Sequence, residues 1–128
     1  KRLKEAGARV CVVTSKVTPT AQAHLVGYGL APFIDHLWGG IPGGSAEKTF
    51  LLQTAVDALA TEKANLVMVG DRHYDLTAAH TVGIPSIGVL YGYGSKEEIM
   101  GCAPTYTVAS VASLSALLLG SSSVPCEQ

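Results

Sequence analysis

Asp71 and Asp75, two aspartates four residues apart in Gly70-Asp71-Arg72-His73-Tyr74-Asp75, carry the sharpest chemical signal in this sequence. They follow the apolar run Asn65-Leu66-Val67-Met68-Val69, which makes Asp71 the first polar side chain after a strand and sets Asp75 at the mouth of a helix. Two carboxylates held together repel unless a cation or a helix N-terminus offsets their charge. A hard divalent cation such as Mg²⁺ does this while keeping several of its waters. Gly70 lets the backbone come close where a side chain would block a ligand. Spacing alone also admits a plainer reading, with Asp75 as a helix N-cap and Asp71 as a solvated loop residue.

The elements that must position this pair alternate. Arg9-Val10-Cys11-Val12-Val13-Thr14 is a continuous, β-branched run of the kind a strand buried on both faces shows. Thr18-Pro19 starts a helix in which Ala21, Leu25 and Val26 share a face, ending near Gly27 or Gly29. Residues 33–38 form a second strand, followed by the glycine-rich stretch Gly39 to Gly44. Ser45 caps a helix with Lys48 in its first turn and Leu51, Leu52, Ala55, Val56 and Leu59 as its apolar stripe. After the strand at 65–69 comes a helix from Asp75 to Val82, ended by Gly83 and Pro85. Ser86 to Leu90 is the next strand, Tyr91-Gly92-Tyr93-Gly94 a tight loop, and Ser95 the cap of a short helix to Met100. Thr105 to Val108 reads as an edge strand and Ser110 to Leu119 as the last helix. Strands alternating with helices at these lengths predict an α/β layered sheet of mostly parallel strands. Chemistry in such sheets gathers in the loops at the carboxyl ends of the strands. Those loops are Thr14-Ser15-Lys16, the stretch before Lys48, Gly70 to Asp75, and Tyr91 to Ser95.

Composition narrows the partners. The 128 residues are 48% apolar and 15% charged, enough apolar material for a core, and the net charge of −1 comes without a basic patch. That argues against a nucleic-acid or anionic-membrane surface, and no stretch reads as a transmembrane helix or signal peptide. Cys11, Cys102 and Cys126 are odd in number and unrelated in spacing, which suits free thiols in a reducing compartment, the cytoplasm. The chain opens without Met on Lys1-Arg2-Leu3-Lys4-Glu5, in what reads as the last turn of a helix stopping at Gly7. We therefore expect a piece of a longer chain: residues 1–119 as a partial core domain and 120–128 as a mobile tail. His24, His36 and His80 lack partners at metal-ligand spacing, and His73 is expected to face solvent.

The string from Gly70-Asp71 and Asp75 through Ala78-Ala79, Gly83-Ile84-Pro85, Gly88-Val89, Tyr91-Gly92-Tyr93-Gly94-Ser95 and Glu97-Glu98-Ile99 resembles the fourth motif of haloacid-dehalogenase-like (HAD) phosphohydrolases and its downstream segment. The resemblance is strongest to the phosphoglycolate-phosphatase-like branch. It implies a hydroxyl residue closing an earlier apolar strand, matched by Thr14, and a lysine near the start of a later helix, matched by Lys48. It also implies a three-layer Rossmann-like core and a small phosphorylated metabolite as substrate. A phosphoryl group in transfer spreads negative charge over its equatorial oxygens and needs donors, a cation and a metal around it. On this resemblance Thr14, with Ser15, would bind the phosphate, and Lys48 would neutralise charge. Asp71 would hold Mg²⁺, and Asp75 would hold a metal-bound water or position Lys48. Arg72 would either contact a substrate anion or form an ion pair at the rim.

The same resemblance implies an Asp-x-Asp pair on the opening strand, one aspartate attacking phosphorus and the other working as acid and base. None of Asp35, Asp57, Asp71 and Asp75 is arranged so. The family's missing strand would lie between those ending at Thr14 and Asp71, and two strand edges would be left without it. We expect the nucleophile and cap to belong to a parent chain, and these 128 residues alone to be inactive. A phosphoglucomutase or pyrophosphatase parent, and a non-catalytic binding module, are the alternative readings. A dehalogenase, which does not need the metal, and a receiver domain, whose acidic cluster comes first and lysine last, fit less well.

Overall fold

Residues 2–40 and 47–119 are described by the structure, a computed structural model. They divide into two compact units, Lys1–Leu59 and Ala60–Gln128. The glycine-rich stretch from Ile41 to Gly44, the expected cap Ser45, and the tail from Gly120, with Cys126, lie outside the described residues.

The first unit opens with α1 (Arg2–Glu5), which turns off at Gly7 with φ +89°, a left-handed conformation that favours glycine. Strand β1 (Cys11–Val17) runs parallel to β2 (His36–Gly40), with Cys11, Val12 and Val13 opposite His36, Leu37 and Trp38. β1 is longer than its sequence suggests: β-branched Val17 continues it past Thr14 to the start of α2 (Thr18–Gly27). The regular ladder nevertheless breaks where the strand was expected to stop, since pairing jumps from Val13 to Val17 opposite Gly40. Thr14, Ser15 and Lys16 thus lie in an irregular stretch, where extra residues on one strand bend it. Gly39 faces this bend, and a Cβ there would come within 2.8 Å of the Thr18 hydroxyl. In α2 only Ala21 is buried, while Val26 is 61% exposed, so the expected shared face is not a continuous core stripe. Phe33 belongs to a 3-10 turn (Ala31–Phe33) that precedes β2 instead of to the strand itself. Helix α3 (Lys48–Leu59) buries Leu51, Leu52, Ala55 and Val56, as its periodicity requires.

In the second unit three strands pair in parallel in the order β3 (Met68–Gly70), β4 (Ser86–Val89), β5 (Tyr106–Val108). β4 is central and buried along its whole length. β5 is an edge, as expected, and β3 is the other edge of this sheet. β3 is shorter than the apolar run that announced it, because Lys63–Asn65 forms a 3-10 turn, and Val69 is 37% exposed instead of buried. Helix α4 (His73–Val82) begins two residues earlier than expected and puts Leu76, Ala78, Ala79 and Val82 into the core. It ends on Gly83 at φ +91°. Helices α5 (Lys96–Gly101) and α6 (Val111–Leu118) carry serine caps: Ser95 Oγ accepts from the Glu98 amide and Ser110 Oγ from the Ser113 amide, each at 3.0 Å. Ile87, Val89 and Val108 form a core cluster against which Leu114, Leu117 and Leu118 pack.

Candidate functional site

In the first unit the structure brings Lys48 next to Thr14. Lys48 is the first residue of α3, and its Nζ donates to the Val13 carbonyl at 2.9 Å. The ammonium is therefore seated where the ladder of β1 breaks, beside the Thr14 peptide. Thr14 is half-buried, and its Oγ1 accepts from the Lys16 amide at 3.2 Å, which folds the 14–16 segment into a local hydroxyl turn. Ser15 is exposed. A hydroxyl, an exposed serine and a lysine ammonium at the break in the β1 ladder offer donors and positive charge, which suits an anion.

In the second unit Asp71 leaves β3 half-buried and is gripped by the Tyr91–Gly94 loop. The Tyr93 amide donates to Asp71 Oδ2 at 3.0 Å, and the Gly94 amide donates to the Asp71 carbonyl at 2.9 Å. The loop comes so close that Cβ atoms would collide with the Asp71 carboxylate at Gly92 and with its carbonyl oxygen at Gly94. Burial, together with the Asp71 charge, pushes the Tyr91 hydroxyl up from its ordinary range. Asp75 is the third residue of α4, not its N-cap, and its carboxylate lies against Gly70, where a Cβ would stand 2.7 Å from Oδ2. Gly70 and Gly92 thus leave the two carboxylates room that any side chain would take.

The N-cap of α4 is Arg72, whose own side chain makes no capping bond. Glu98, from α5, takes that place. Its Oε2 accepts from the His73 amide at 2.7 Å, from Arg72 Nε at 2.8 Å, and meets His73 Nδ1 at 2.9 Å. These partners hold the Glu98 carboxyl down at about 2 and raise Arg72. Of the two roles left open for Arg72, the ion pair is the one formed. The guanidinium also lies 5.4 Å from the centre of the Tyr74 ring. His73 keeps 43% of its side chain exposed, as expected, and is in addition tied to Glu98. The importance of Glu98 was hidden in the sequence, where Ser95-x-x-Glu98 reads as a local cap and nothing marks a partner 25 residues away.

Among the described residues no three His, Cys, Asp or Glu side chains gather as a metal cluster. The carboxylates of Asp71 and Asp75 are hard oxygen donors of the kind that could hold Mg²⁺, with waters completing its shell. Among the same residues no helix is long and apolar enough to cross a membrane.

A family profile described as HAD-hydrolase-like matches residues 46–114, more than half of the chain. A phosphoglycolate phosphatase of Neisseria meningitidis is 37% identical over 93 residues, 72% of this chain and 40% of that protein. The tyrosine-protein kinase PtkA of Mycobacterium tuberculosis is also 37% identical, over 98 residues, 76% of this chain and 34% of that protein. The crystal structure of a phosphatase from Clostridium difficile superposes with a TM-score of 0.86 and 38% identity, over 91% of this chain and 55% of that one. The chain therefore spans about half the length, or less, of the proteins it matches.

Proposed function

This chain belongs to the HAD-like hydrolase family, of phosphoglycolate-phosphatase-like type, and on that premise we propose that it is part of a Mg²⁺-dependent phosphate monoester hydrolase. The reaction runs through an aspartyl-phosphate whose nucleophile is not among the 128 residues. The observation that carries the reading is the ordered set Thr14, Lys48, Asp71 and Asp75 within a chain 37% identical to a phosphoglycolate phosphatase.

Thr14 and Ser15 hold phosphate oxygens, and Lys48, anchored on the Val13 carbonyl, offsets the charge that spreads over the phosphoryl group. Asp71 and Asp75 would hold the cation, which would supply positive charge to offset that of a phosphoryl group. The Tyr93 amide on Asp71 Oδ2 fixes that carboxylate's orientation. Arg72 serves the site through its ion pair with Glu98. The substrate is a small phosphorylated metabolite, and the free thiols Cys11 and Cys102 suit work in the cytoplasm.

The similarity to PtkA supports a second reading, phosphoryl transfer to a protein tyrosine, because the same donors and cation serve either acceptor. The test is release of inorganic phosphate from phosphoglycolate and other small monoesters, with Mg²⁺. Two samples are compared: this chain in its longer parent, and the 128 residues alone. Expected are turnover by the parent, its loss in Asp71→Asn, and none from the 128 residues alone. Turnover by the isolated piece overturns the missing-nucleophile reading. Tyrosine phosphorylation from ATP without monoester hydrolysis favours the kinase.

A further inference from the structure

We propose that residues 93–98 form a strap that positions Asp71 and the start of α4, with Glu98 as the positioning residue at its far end. The inference deepens the cation-binding role given above to Asp71, and rests on it.

Five contacts tie the strap to residues 71–73. At its near end the Tyr93 amide holds the Asp71 carboxylate and the Gly94 amide holds the Asp71 carbonyl. At its far end one oxygen, Glu98 Oε2, meets the His73 amide, His73 Nδ1 and Arg72 Nε. Ser95 joins the two ends rigidly, because its hydroxyl caps α5 on the Glu98 amide. Ile99, fully buried, anchors the helix that carries Glu98.

Each contact does work that residues 71–73 cannot do for themselves. Asp71 sits between a strand of three residues and a helix whose N-cap residue supplies no cap. A helix start leaves several amides without intrahelical partners and carries positive dipole charge. Glu98 satisfies the first of these amides from a distance of 25 residues and places a carboxylate at the positive end. The guanidinium of Arg72, which feels the charges of both Glu98 and Asp71, is held by Glu98 through Nε. This leaves the Asp71 carboxylate oriented by the Tyr93 amide while Glu98 engages the guanidinium. Loss of Glu98 frees the guanidinium and unpins the segment that carries Asp71. Groups that orient metal ligands from behind typically change metal affinity by about 10–100-fold when removed.

The experiment is titration with Mn²⁺, followed by its electron paramagnetic resonance signal, on the whole chain. Wild type, Glu98→Ala, Glu98→Gln, Glu97→Ala and Asp71→Asn are compared. We expect Glu98→Ala to weaken Mn²⁺ binding about 10-fold or more. Glu98→Gln, whose amide oxygen still accepts from the His73 amide, recovers most of that loss, and the exposed neighbour Glu97→Ala has no effect. Unchanged affinity in Glu98→Ala, or no recovery in Glu98→Gln, overturns the strap while leaving the role of Asp71 intact if Asp71→Asn abolishes binding. Unchanged affinity in Asp71→Asn overturns the cation reading, and the strap with it. Hydrogen exchange on the wild-type chain checks the strap independently of metal and of any variant's folding. The His73 and Gly94 amides should exchange slowly and together, and exchange at open-chain rates at either one overturns the proposal.

Discussion

The ammonium of Lys48 donates to the carbonyl of Val13 at 2.9 Å, across 35 residues of sequence. The bond joins the first turn of α3 to the point where β1 leaves its regular ladder. A carbonyl that loses a charged donor in a partly buried place forfeits more than an ordinary hydrogen bond, about 1.5–3 kcal/mol. Lys48→Met keeps the aliphatic stem and removes the charged donor. Its urea unfolding free energy should fall by about 1.5–3 kcal/mol, and a result indistinguishable from wild type would show that the lysine is free to leave Val13.

Much of the fold was legible in the sequence because local rules and the tertiary structure agree. β4 is buried on both faces, as its apolar run requires, Gly83 ends α4, and Ser95 caps α5. The misreadings have physical causes. β1 outruns Thr14 because β-branched Val17 tolerates the extended conformation through an irregular stretch. Val69 was expected to be buried and is 37% exposed, since an apolar run does not say which strand lies at an edge. Asp71, Asp75, Lys48 and Thr14 could be named because their residue types carry the chemistry. Glu98 could not, because its side chain leaves its own helix to cap another, and only tertiary structure reveals that exchange.

Gly70 is required by what stands opposite it. A Cβ there would meet the Asp75 side chain, with Oδ2 at 2.7 Å and Cγ at 2.8 Å. The Asp75 Cβ, fixed to the α4 backbone, comes closest of all, so Gly70→Ala should displace the start of α4 and the Asp75 carboxylate with it, costing about 1–3 kcal/mol as overpacking does. Thermal unfolding measures the cost, and a Mn²⁺ titration should show weaker binding in the same protein. Full stability in Gly70→Ala would mean that Asp75 yields without penalty.

The core beneath the Asp71 segment is held by Leu76 of α4 and Ile99 of α5, respectively 1% and 0% exposed. Both pack where Gly88 of β4 keeps the sheet low: a Cβ at Gly88 would strike Ile99 and come within 3.4 Å of Leu76 Cδ1. Leu76→Ala removes buried methyls that neighbours cannot replace and should cost about 2–5 kcal/mol. A loss below about 1 kcal/mol in denaturant unfolding would indicate that α4 collapses into the space.

Glu98 also sets a pH dependence whose sign follows from its partners. The hydrogen bond from Arg72, then those from the His73 amide and ring, lower its folded pKa from 4.5 to about 2. A carboxylate depressed by folding stabilises the native state fully above its unfolded pKa, and that stability drains away as pH falls toward the folded one. The contribution is therefore intact at pH 6 and disappears between about pH 4.5 and pH 2. Glu98→Gln cannot titrate, so its stability relative to wild type should improve steadily through that window. Urea midpoints for both proteins at pH 6, 4 and 3 test this. A difference that stays constant with pH would show that the Glu98 carboxylate gains nothing from Arg72 and His73 in the folded chain.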